Sequence, residues 1–272
     1  MTAVDRSNSP GNKIYFLSDF HLGAPTAQLS LQREKLICRF LDQALQDAAE
    51  IFLMGDLFDF WYEYKKVVPK GQVRLLGKLA ACSDAGIILH FFTGNHDMWM
   101  KDYFQQELGI KMYYDPITIE RNGCRLHIGH GDGLGPGDEG YKRLKQIFRN
   151  PLCQLLFGWL PPVIGMGIAE YFSRKSRAKT GAAEEVFRGP DQEWLITYCK
   201  EQLKKDPVDY FIFGHRHLPI DWELMSTSAS VRYINLGDWI RYFSYAVLEG
   251  SELSLRFYTD QQHKLITNRQ NV

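Results

Sequence analysis

The sequence is short of the features that mark secreted proteins and metal–thiolate proteins. Its five cysteines are widely spaced and form no CxxC pair: Cys38, Cys82, Cys124, Cys153 and Cys199. An odd number at such spacings argues against a disulfide framework and against a zinc site built on thiolates. The polar first residues, MTAVDRSNSPGNK, also lack the apolar stretch of a secretory signal. We therefore expect a reducing, cytoplasmic location.

The chain also lacks an excess of charge of either sign. Its 32 basic and 32 acidic residues give a formal net charge of zero over 272 residues. The chain as a whole is therefore no polycation that would seek nucleic acid, and we expect no nucleic-acid partner. Any attraction for an anionic substrate must come from a local cluster. The hydrophobic fraction of 45% is ordinary, and the length allows one large α/β domain.

No uninterrupted apolar run is long enough to cross a membrane. The most apolar segment, residues 152–172, contains Gln154, Glu170 and the pair Pro161-Pro162. A bilayer requires about 20 helical residues, and the prolines divide this segment into two shorter pieces. We predict an apolar hairpin at the surface rather than a membrane span.

Alternating apolar runs and helical periods predict the fold class. The runs at 13–18, 50–55 and 87–93 are typical of buried strands, and helical patterns separate them. A hairpin is predicted around Asn122-Gly123, and a helix over 191–205. Further strands are predicted in DYFIFG, VRYINLG, SYAVLEG and ELSLRFY. The expected architecture is α/β, with two mixed β-sheets packed face to face and flanked by helices.

The pattern changes between Leu134 and Gly189. Apolar residues from Tyr141 to Leu152 share one predicted helical face, and those from Ile164 to Phe172 share another. We therefore predict a core of residues 13–133 and 190–260, interrupted by a helical cap insertion of residues 134–189. Without other information, an apolar stripe of this kind is more typical of a core or a dimer interface than of a ligand groove. The basic run that follows is often only a solvated surface.

Polar side chains with metal-binding chemistry follow five predicted strands, often beside glycine. These segments are Asp19-Phe20-His21, Gly55-Asp56, Gly94-Asn95-His96-Asp97, Gly129-His130-Gly131-Asp132 and Gly214-His215-Arg216-His217. Ligands in open α/β sheets bind beyond the carboxyl ends of strands. Imidazole and carboxylate without thiolate suit manganese, iron or zinc. Seven candidate ligands are too many for one tetrahedral ion, and they suit two ions that share a carboxylate.

This ordered series resembles that of the calcineurin-like metallophosphoesterases, over the chain from Asp19 to His217. The resemblance implies a four-layer sandwich and a hydrolase with two divalent metal ions, manganese in the first place, with iron or zinc as alternatives. The ligands of one ion would be Asp19, His21, Asp56 and His217. Those of the other would be Asp56, Asn95, His130 and His215. The resemblance also implies that His96 steadies the transition state or protonates the leaving oxygen, and that Asp97 orients His96.

A narrower resemblance is to the group within this family that hydrolyses UDP-2,3-diacylglucosamine in lipid A biosynthesis. It rests on Asp59-Phe60 after GDLF, on HGDGLGPGDEGYK and on the apolar hairpin. It implies a metal-activated hydroxide that cuts the pyrophosphate bond to give UMP and 2,3-diacylglucosamine 1-phosphate. It further implies a nucleotide-lipid substrate, an anionic membrane surface as partner, and a peripheral location on the cytoplasmic face of the bacterial inner membrane. The substrate contacts would be Asp138, Tyr141, Arg174, Lys175, Ser176 and Lys179.

Three functions stay open at this point. His96 departs from the narrower group, which often carries arginine after the metal-binding asparagine, and it agrees with the wider family. The chain is therefore a lipid-pathway pyrophosphatase, a phosphoesterase for a nucleotide or another phosphodiester, or a scaffold without turnover. The apolar hairpin favours the first function, and the complete ligand set argues against the third. Three other histidines are predicted to be structural or solvated: His90, His127 and His263.

Overall fold

Two mixed sheets of six strands form the centre of the molecule. The computed structural model describes residues 11–137, 139–169, 171–173, 186–225, 230–259 and 265–269. The strands in this part of the chain are β1 (Lys13–Leu17), β2 (Ala48–Leu53), β3 (Ile88–Phe92), β4 (Lys111–Tyr113), β5 (Ile117–Arg121), β6 (Cys124–Gly129), β7 (Tyr210–Phe213), β8 (Pro219–Met225), β9 (Ser230–Leu236), β10 (Ser244–Glu249), β11 (Glu252–Phe257) and β12 (Ile266–Thr267). Their order is β11-β10-β1-β2-β3-β4 in one sheet and β12-β8-β9-β7-β6-β5 in the other.

Helices cover the sheets and fill the long insertion. Those in the described residues are α1 (Ala27–Ala44), α2 (Val73–Asp84), α3 (Tyr103–Leu108), α4 (Glu139–Arg149), α5 (Pro151–Gly158), α6 (162–169) and α7 (Trp194–Leu203). The first of them is capped by Thr26, whose side chain accepts a hydrogen bond from the backbone N–H of Leu29 at 3.3 Å. Such a cap satisfies one of the free N–H groups at a helix start.

The alternation of side chains along β1 explains the layered core. Ile14 and Phe16 join the hydrophobic core between the two sheets, whereas Tyr15 and Leu17 join the core under the helices of the first sheet. This is the period of two expected of a strand buried on both faces. A third core forms where α7 packs on the outer face of the second sheet, with Leu195 buried. The predicted α/β architecture of two face-to-face mixed sheets flanked by helices is confirmed.

Parallel strands place several loops at one edge of each sheet. In the first sheet, β1, β2, β3 and β4 run parallel, and β10 pairs antiparallel with both β1 and β11. In the second sheet, β6, β7 and β9 run parallel. The carboxyl ends of parallel neighbours lie at the same edge, so the polar segments that follow them come together.

The sequence prediction missed three strands, β4, β8 and β12, and the short helix α3. Strand β8 begins with proline and carries Asp221 and Glu223, which are residues that strands generally avoid. Arg232 on the paired strand β9 compensates for the buried Asp221, with side-chain contacts of 3.0 and 2.7 Å. The predicted helix over 191–205 is shorter in the structure, and Asp191 lies before its start.

The insertion contains two helices where one apolar face had been predicted from Tyr141 to Leu152. Helix α4 ends at Arg149, and Pro151 begins α5. The side chain of Asn150 caps this second helix by accepting the N–H of Leu152 at 2.8 Å. An Asn–Pro pair ends one helix and begins the next because proline has no N–H to donate.

Two aromatic side chains of the core attach these helices. Tyr62 O–H donates to the carbonyl oxygen of Gln154 at 2.6 Å, and Trp99 Nε1–H donates to that of Phe148 at 2.7 Å. Phe157 packs against both rings. Trp61 and Tyr62 are both buried. Trp61 packs in the core under the helices of the first sheet, whereas Tyr62 is buried against the insertion.

The helices of the insertion expose many large apolar side chains. Trp159 is 76% and Val163 is 85% exposed. Other large apolar side chains exposed there are Leu152, Leu155, Leu156, Ile164, Ile168, Tyr171 and Phe172. No helix in the described part of the chain combines the length and the hydropathy that crossing a membrane requires.

Candidate metal centre

The polar segments that follow β1, β2, β3, β6 and β7 meet between the two sheets. All seven side chains that the sequence nominated as metal ligands lie in this region. In the first group, Nε2 of His21 and Nε2 of His217 are 3.1 Å apart. The Oδ1 atom of Asp19 lies 3.7 Å from the former and 3.3 Å from the latter. These three donor atoms surround one point.

A second group lies beside the first and shares a carboxylate with it. Oδ2 of Asp56 is 3.4 Å from Nε2 of His130, which is 3.2 Å from Oδ1 of Asn95. The ring of His215 lies 5.2 Å from that of His130, measured between centroids. The same Asp56 oxygen is 3.7 Å from Nε2 of His21, in the first group. Asp56 therefore stands between the two groups.

The donor atoms fit divalent ions. Metal–nitrogen bonds of about 2.0–2.1 Å place neighbouring ligand atoms roughly 3.0–3.4 Å apart in octahedral or tetrahedral geometry. The close pairs described above, at 3.1–3.4 Å, have this spacing. In addition, Oδ1 of Asp19 is fully buried and receives no hydrogen bond. A buried carboxylate oxygen without a donor is costly unless a cation binds it.

Contacts behind the donor atoms fix their direction. Nδ1 of His130 is bonded to the carbonyl oxygen of Met54 at 2.8 Å, and Nδ1 of His217 lies 3.4 Å from Oδ2 of Asp238. These contacts hold the proton on Nδ1 and leave Nε2 as the donor atom for an ion. The second oxygen of Asp19 accepts the backbone N–H of His215 at 3.0 Å. These three predicted ligands are thus oriented from behind: His130, His217 and Asp19.

The carboxylates raise the pKa values of two of these histidines. Burial disfavours the charged ring of His130, but the charge of Asp56 outweighs it and raises the pKa to about 10. Burial likewise opposes the charge of Asp19 at His217, and the pKa still rises to about 9. At His21 and His215, burial outweighs the nearby carboxylates and lowers both pKa values to about 4. The centre therefore attracts positive charge, and a metal ion would displace protons from it.

The backbone carries strain at the predicted ligands. Five of them have positive φ angles, between 44° and 70°: Asp19, His21, Asp56, His215 and His217. This region is unfavourable for residues other than glycine, and such strain is concentrated at functional sites. The positive φ lets the chain turn sharply at a strand end, so that side chains two residues apart point to the same place.

The glycines beside the ligands allow very close packing. A Cβ atom at Gly94 would lie 2.6 Å from the backbone nitrogen of Asp56 and closer still to its carboxylate. A Cβ at Gly214 would lie 2.6 Å from Oδ2 of Asp19. The pairing of glycine with Asp, Asn or His in the sequence therefore has a steric cause.

A buried ion pair supports the segment that carries the last two histidines. The side chain of Arg216, between His215 and His217, contacts both carboxylate oxygens of Glu193 at 3.1 and 3.0 Å. Both residues are buried, and the guanidinium also lies over the ring of Trp194 at 4.6 Å. Loss of one member of such a pair leaves a buried charge, which destabilises a protein by about 3–5 kcal/mol.

His96 lies at the edge of the centre, but Asp97 does not orient it in the structure. Asp97 accepts hydrogen bonds from the backbone N–H groups of Gly94 at 2.7 Å and Leu57 at 2.9 Å. Burial and the nearby carboxylates raise its pKa to about 7. Nδ1 of His96 is instead bonded to the carbonyl oxygen of Asp59 at 2.9 Å. The contacts therefore differ from the predicted pairing.

Asp59 also belongs to the site, although in the sequence it served only as part of a resemblance to the narrower group. The segments after β1 and β2 run side by side, because Asp59 N–H donates to the carbonyl oxygen of Leu22 at 2.9 Å. This places Oδ1 of Asp59 3.9 Å from Nδ1 of both His21 and His96. A signal was present in the sequence, since Asp59 lies three residues after Asp56 in the same segment.

Of the predicted substrate contacts, the structure describes only Tyr141. Its hydroxyl donates to Oδ2 of the buried Asp132 at 2.5 Å, and Lys145 lies 2.6 Å from the same oxygen. This cluster joins α4 to the segment after β6. The remaining predicted contacts lie outside the described residues: Asp138, Arg174, Lys175, Ser176 and Lys179.

Two predicted structural histidines lie away from the centre. His90 is bonded to Glu50 at 2.8 Å, and His127 to Tyr198 at 3.0 Å. Both lie within strands, as expected. The third, His263, lies outside the described residues.

Comparison with known families decides the assignment. The profile of the calcineurin-like phosphoesterases matches residues 12–219. The chain belongs to the calcineurin-like phosphoesterase family. This match spans all five segments that contribute to the centre, and the family consists of metal-dependent hydrolases.

Several curated relatives share one name. A UDP-2,3-diacylglucosamine hydrolase of Porphyromonas gingivalis is 39% identical over 269 residues, covering 92% of this chain and 99% of that protein. A protein of the same name from Pseudomonas paraeruginosa is 29% identical, covering 84% of this chain and 91% of its own. One from Aeromonas hydrophila is also 29% identical, covering 92% and 98%.

Solved structures give a weaker likeness. The YfcE phosphoesterase of E. coli aligns with a TM-score of 0.46 and 16% identity, covering 92% of this chain and 95% of that one. An archaeal phosphodiesterase aligns with a TM-score of 0.43 and 12% identity, covering 90% and 99%. Both scores are below 0.5 and add nothing to the assignment.

Replacement of Gly94 by alanine tests the close packing around Asp56. We expect Gly94→Ala to displace the Asp56 carboxylate, because the added Cβ would lie 2.6 Å from the Asp56 nitrogen. The rise in melting temperature that Mn²⁺ gives the wild-type protein should then be lost, and calorimetry should detect weaker Mn²⁺ binding. Gly77→Ala is the control, since a Cβ there meets nothing within 4 Å. Equal Mn²⁺ binding by both variants would contradict the steric argument.

Proposed function

We propose that this phosphoesterase hydrolyses the pyrophosphate bond of UDP-2,3-diacylglucosamine and releases UMP and 2,3-diacylglucosamine 1-phosphate. The main support for the proposal is the exposed apolar face of α5 and α6. These helices are attached beside a candidate two-ion centre. A soluble substrate would not need an exposed apolar surface, whereas the two acyl chains of this lipid would bind to one. Relatives of nearly the same length that bear the corresponding name support the choice of substrate.

We propose two divalent ions at the centre, with manganese as the first choice because nitrogen and oxygen ligands suit it. One would be held by Asp19, His21, Asp56 and His217. The other would be held by Asp56, Asn95, His130 and His215. When bound, such a pair polarises phosphoryl oxygens and lowers the pKa of a coordinated water toward neutrality. The contacts behind the ligands support this assignment, since they turn Nε2 of His130 and His217 toward the ions.

The protein itself contributes a proton-bearing group at the edge of the centre. His96 keeps its Nδ1 proton on the Asp59 carbonyl oxygen, so Nε2 is the nitrogen that serves the substrate. The Asp59 carboxylate also lies 3.9 Å from Nδ1. We propose that the ring, when it carries a second proton on Nε2, donates from Nε2–H to the phosphoryl or leaving oxygen as negative charge develops there.

The helices of residues 134–189 serve as a cap in this proposal. Their apolar face would accommodate the acyl chains and exclude water from the diphosphate. The basic run that begins at Arg174 would meet anionic groups of the substrate or of a membrane surface. We accordingly propose a peripheral location on the cytoplasmic face of the bacterial inner membrane, where such a lipid product would remain.

Substrate turnover is the direct test of the proposal. Purified protein with Mn²⁺ and UDP-2,3-diacylglucosamine should release UMP, which ³¹P NMR resolves from the lipid phosphate. UDP-N-acetylglucosamine, which lacks the two acyl chains, is the matched control and should be a much poorer substrate. Comparable rates on both compounds would favour the alternative of a phosphoesterase for soluble nucleotides. Release of UDP in place of UMP would contradict the proposed bond.

A substitution at His96 tests its proposed role. Loss of this proton donor in His96→Ala should lower kcat by about 10²–10⁴-fold. Metal content should stay at two ions per chain, because His96 is not among the proposed ligands. His127→Ala is the control, since that histidine is bonded to Tyr198 away from the centre. Full activity of His96→Ala would exclude the assigned role.

A charge on the apolar face tests the cap. Trp159 is 76% exposed, so Trp159→Glu should fold normally. It should impair turnover of the lipid substrate, because burying a carboxylate against acyl chains is costly. Hydrolysis of bis(4-nitrophenyl) phosphate should stay within about two-fold of wild type, as expected for a surface substitution away from the centre. Equal loss on both substrates would count against an acyl-binding face.

A further inference from the structure

Ser173 is a buried polar residue in an otherwise exposed part of the insertion. Its exposed fraction is 8%, whereas its neighbours Tyr171 and Phe172 are 56% and 61% exposed. It lies in the short helical stretch 171–173 that follows α6. The chain therefore directs this one hydroxyl toward the core while the adjacent aromatic rings stay at the surface.

The Ser173 hydroxyl lies between Asp59 and His96. Its Oγ donates to Oδ2 of Asp59 at 3.1 Å and lies 3.3 Å from Nδ1 of His96. The carboxylate itself approaches the same Nδ1 only to 3.9 Å, which is too long for a hydrogen bond. The serine thus bridges a gap that the aspartate and the histidine leave between them.

The protons around Ser173 have a consistent arrangement. A serine hydroxyl has one proton to give and can accept in return. Because Oγ donates to Asp59, it accepts from Nδ1–H of His96. The carbonyl oxygen of Asp59 accepts from the same N–H at 2.9 Å. Both acceptors hold the proton on Nδ1 and fix the plane of the ring, so Nε2 is left for the substrate.

The three residues come from separate parts of the fold. Asp59 follows β2, and His96 follows β3, so both belong to the sheet core. Ser173 belongs to the insertion, which also carries the apolar face. The hydrogen bond from Ser173 is therefore a contact between the insertion and a side chain with a proposed catalytic role.

We propose that Ser173 is a positioning residue, which sets the orientation of the His96 ring when the helical insertion is seated on the core. The inference rests on the proposed role of His96 in phosphoryl transfer, but it does not depend on which substrate is cut. When the insertion packs on the core in this way, it completes the hydrogen bonds around His96 and also provides an apolar surface. Without this serine, Nδ1 of His96 keeps only the Asp59 carbonyl as a close acceptor among the contacts described above.

Kinetics on a small substrate provide the first test. With Mn²⁺-loaded protein and bis(4-nitrophenyl) phosphate, Ser173→Ala should lower kcat about 10-fold through misplacement of His96. KM should stay within about two-fold, because the hydroxyl is not proposed to touch this substrate. Ser173→Thr retains a hydroxyl and should recover most of the lost rate. Ser83→Ala, in α2, is the matched control and should behave as wild type.

The ring of His96 can also be observed without turnover. In chelator-treated, ¹⁵N-histidine-labelled protein, His96→Gln assigns the His96 signals. The wild type should show a hydrogen-bonded Nδ1–H proton, and in Ser173→Ala this proton should exchange with water faster and its signal should shift. An unchanged spectrum would overturn the inference, as would a Ser173→Ala variant in which only KM changes, since Ser173 would then bind substrate. Failure to release UMP from the lipid, with the spectral change present, would reject the proposed substrate alone.

Discussion

The mutual repulsion of two buried carboxylates is the constraint on which the site depends. Asp19 and Asp56 are fully buried within one small region, and the structure orients both of them from behind. Negative charges in such a place require positive partners. In the protein alone, protons on His130 and His217 supply them, and this is why the pKa values of both histidines are high. Bound divalent cations would meet the same need for positive charge, and they would also supply the chemistry of hydrolysis.

The fold brings these carboxylates and their partners into one place. Parallel strands in each sheet bring their carboxyl ends to one edge, and glycines let neighbouring loops touch. The positive φ angles at Asp19, Asp56 and His215 are unfavourable locally, so the three hydrophobic cores must hold them in place. The packing of the layers thus holds a strained and highly charged centre in place.

Much of this arrangement could be predicted from the sequence. Alternating apolar runs and helical periods predicted the fold class, and the polar residues after five strands predicted the seven side chains that lie together in the structure. Local patterns did not reveal β8, because its buried Asp221 is neutralised by Arg232 from a different strand. They also did not reveal the partner of His96. Proximity in sequence favoured Asp97, whereas the backbone N–H groups of Gly94 and Leu57 occupy that carboxylate and Asp59 contacts the ring.

The attachment of the insertion through Tyr62 and Trp99 has an evolutionary consequence. The centre is packed so tightly that an added methyl group is not tolerated at positions such as Gly94. The aromatic contacts and two backbone hydrogen bonds that help to attach the helices beside it place little demand on the identity of their outward side chains. Substrate preference can therefore drift at these outward positions while the reaction chemistry stays unchanged, so that one hydrolytic core can be adapted to many phosphate compounds.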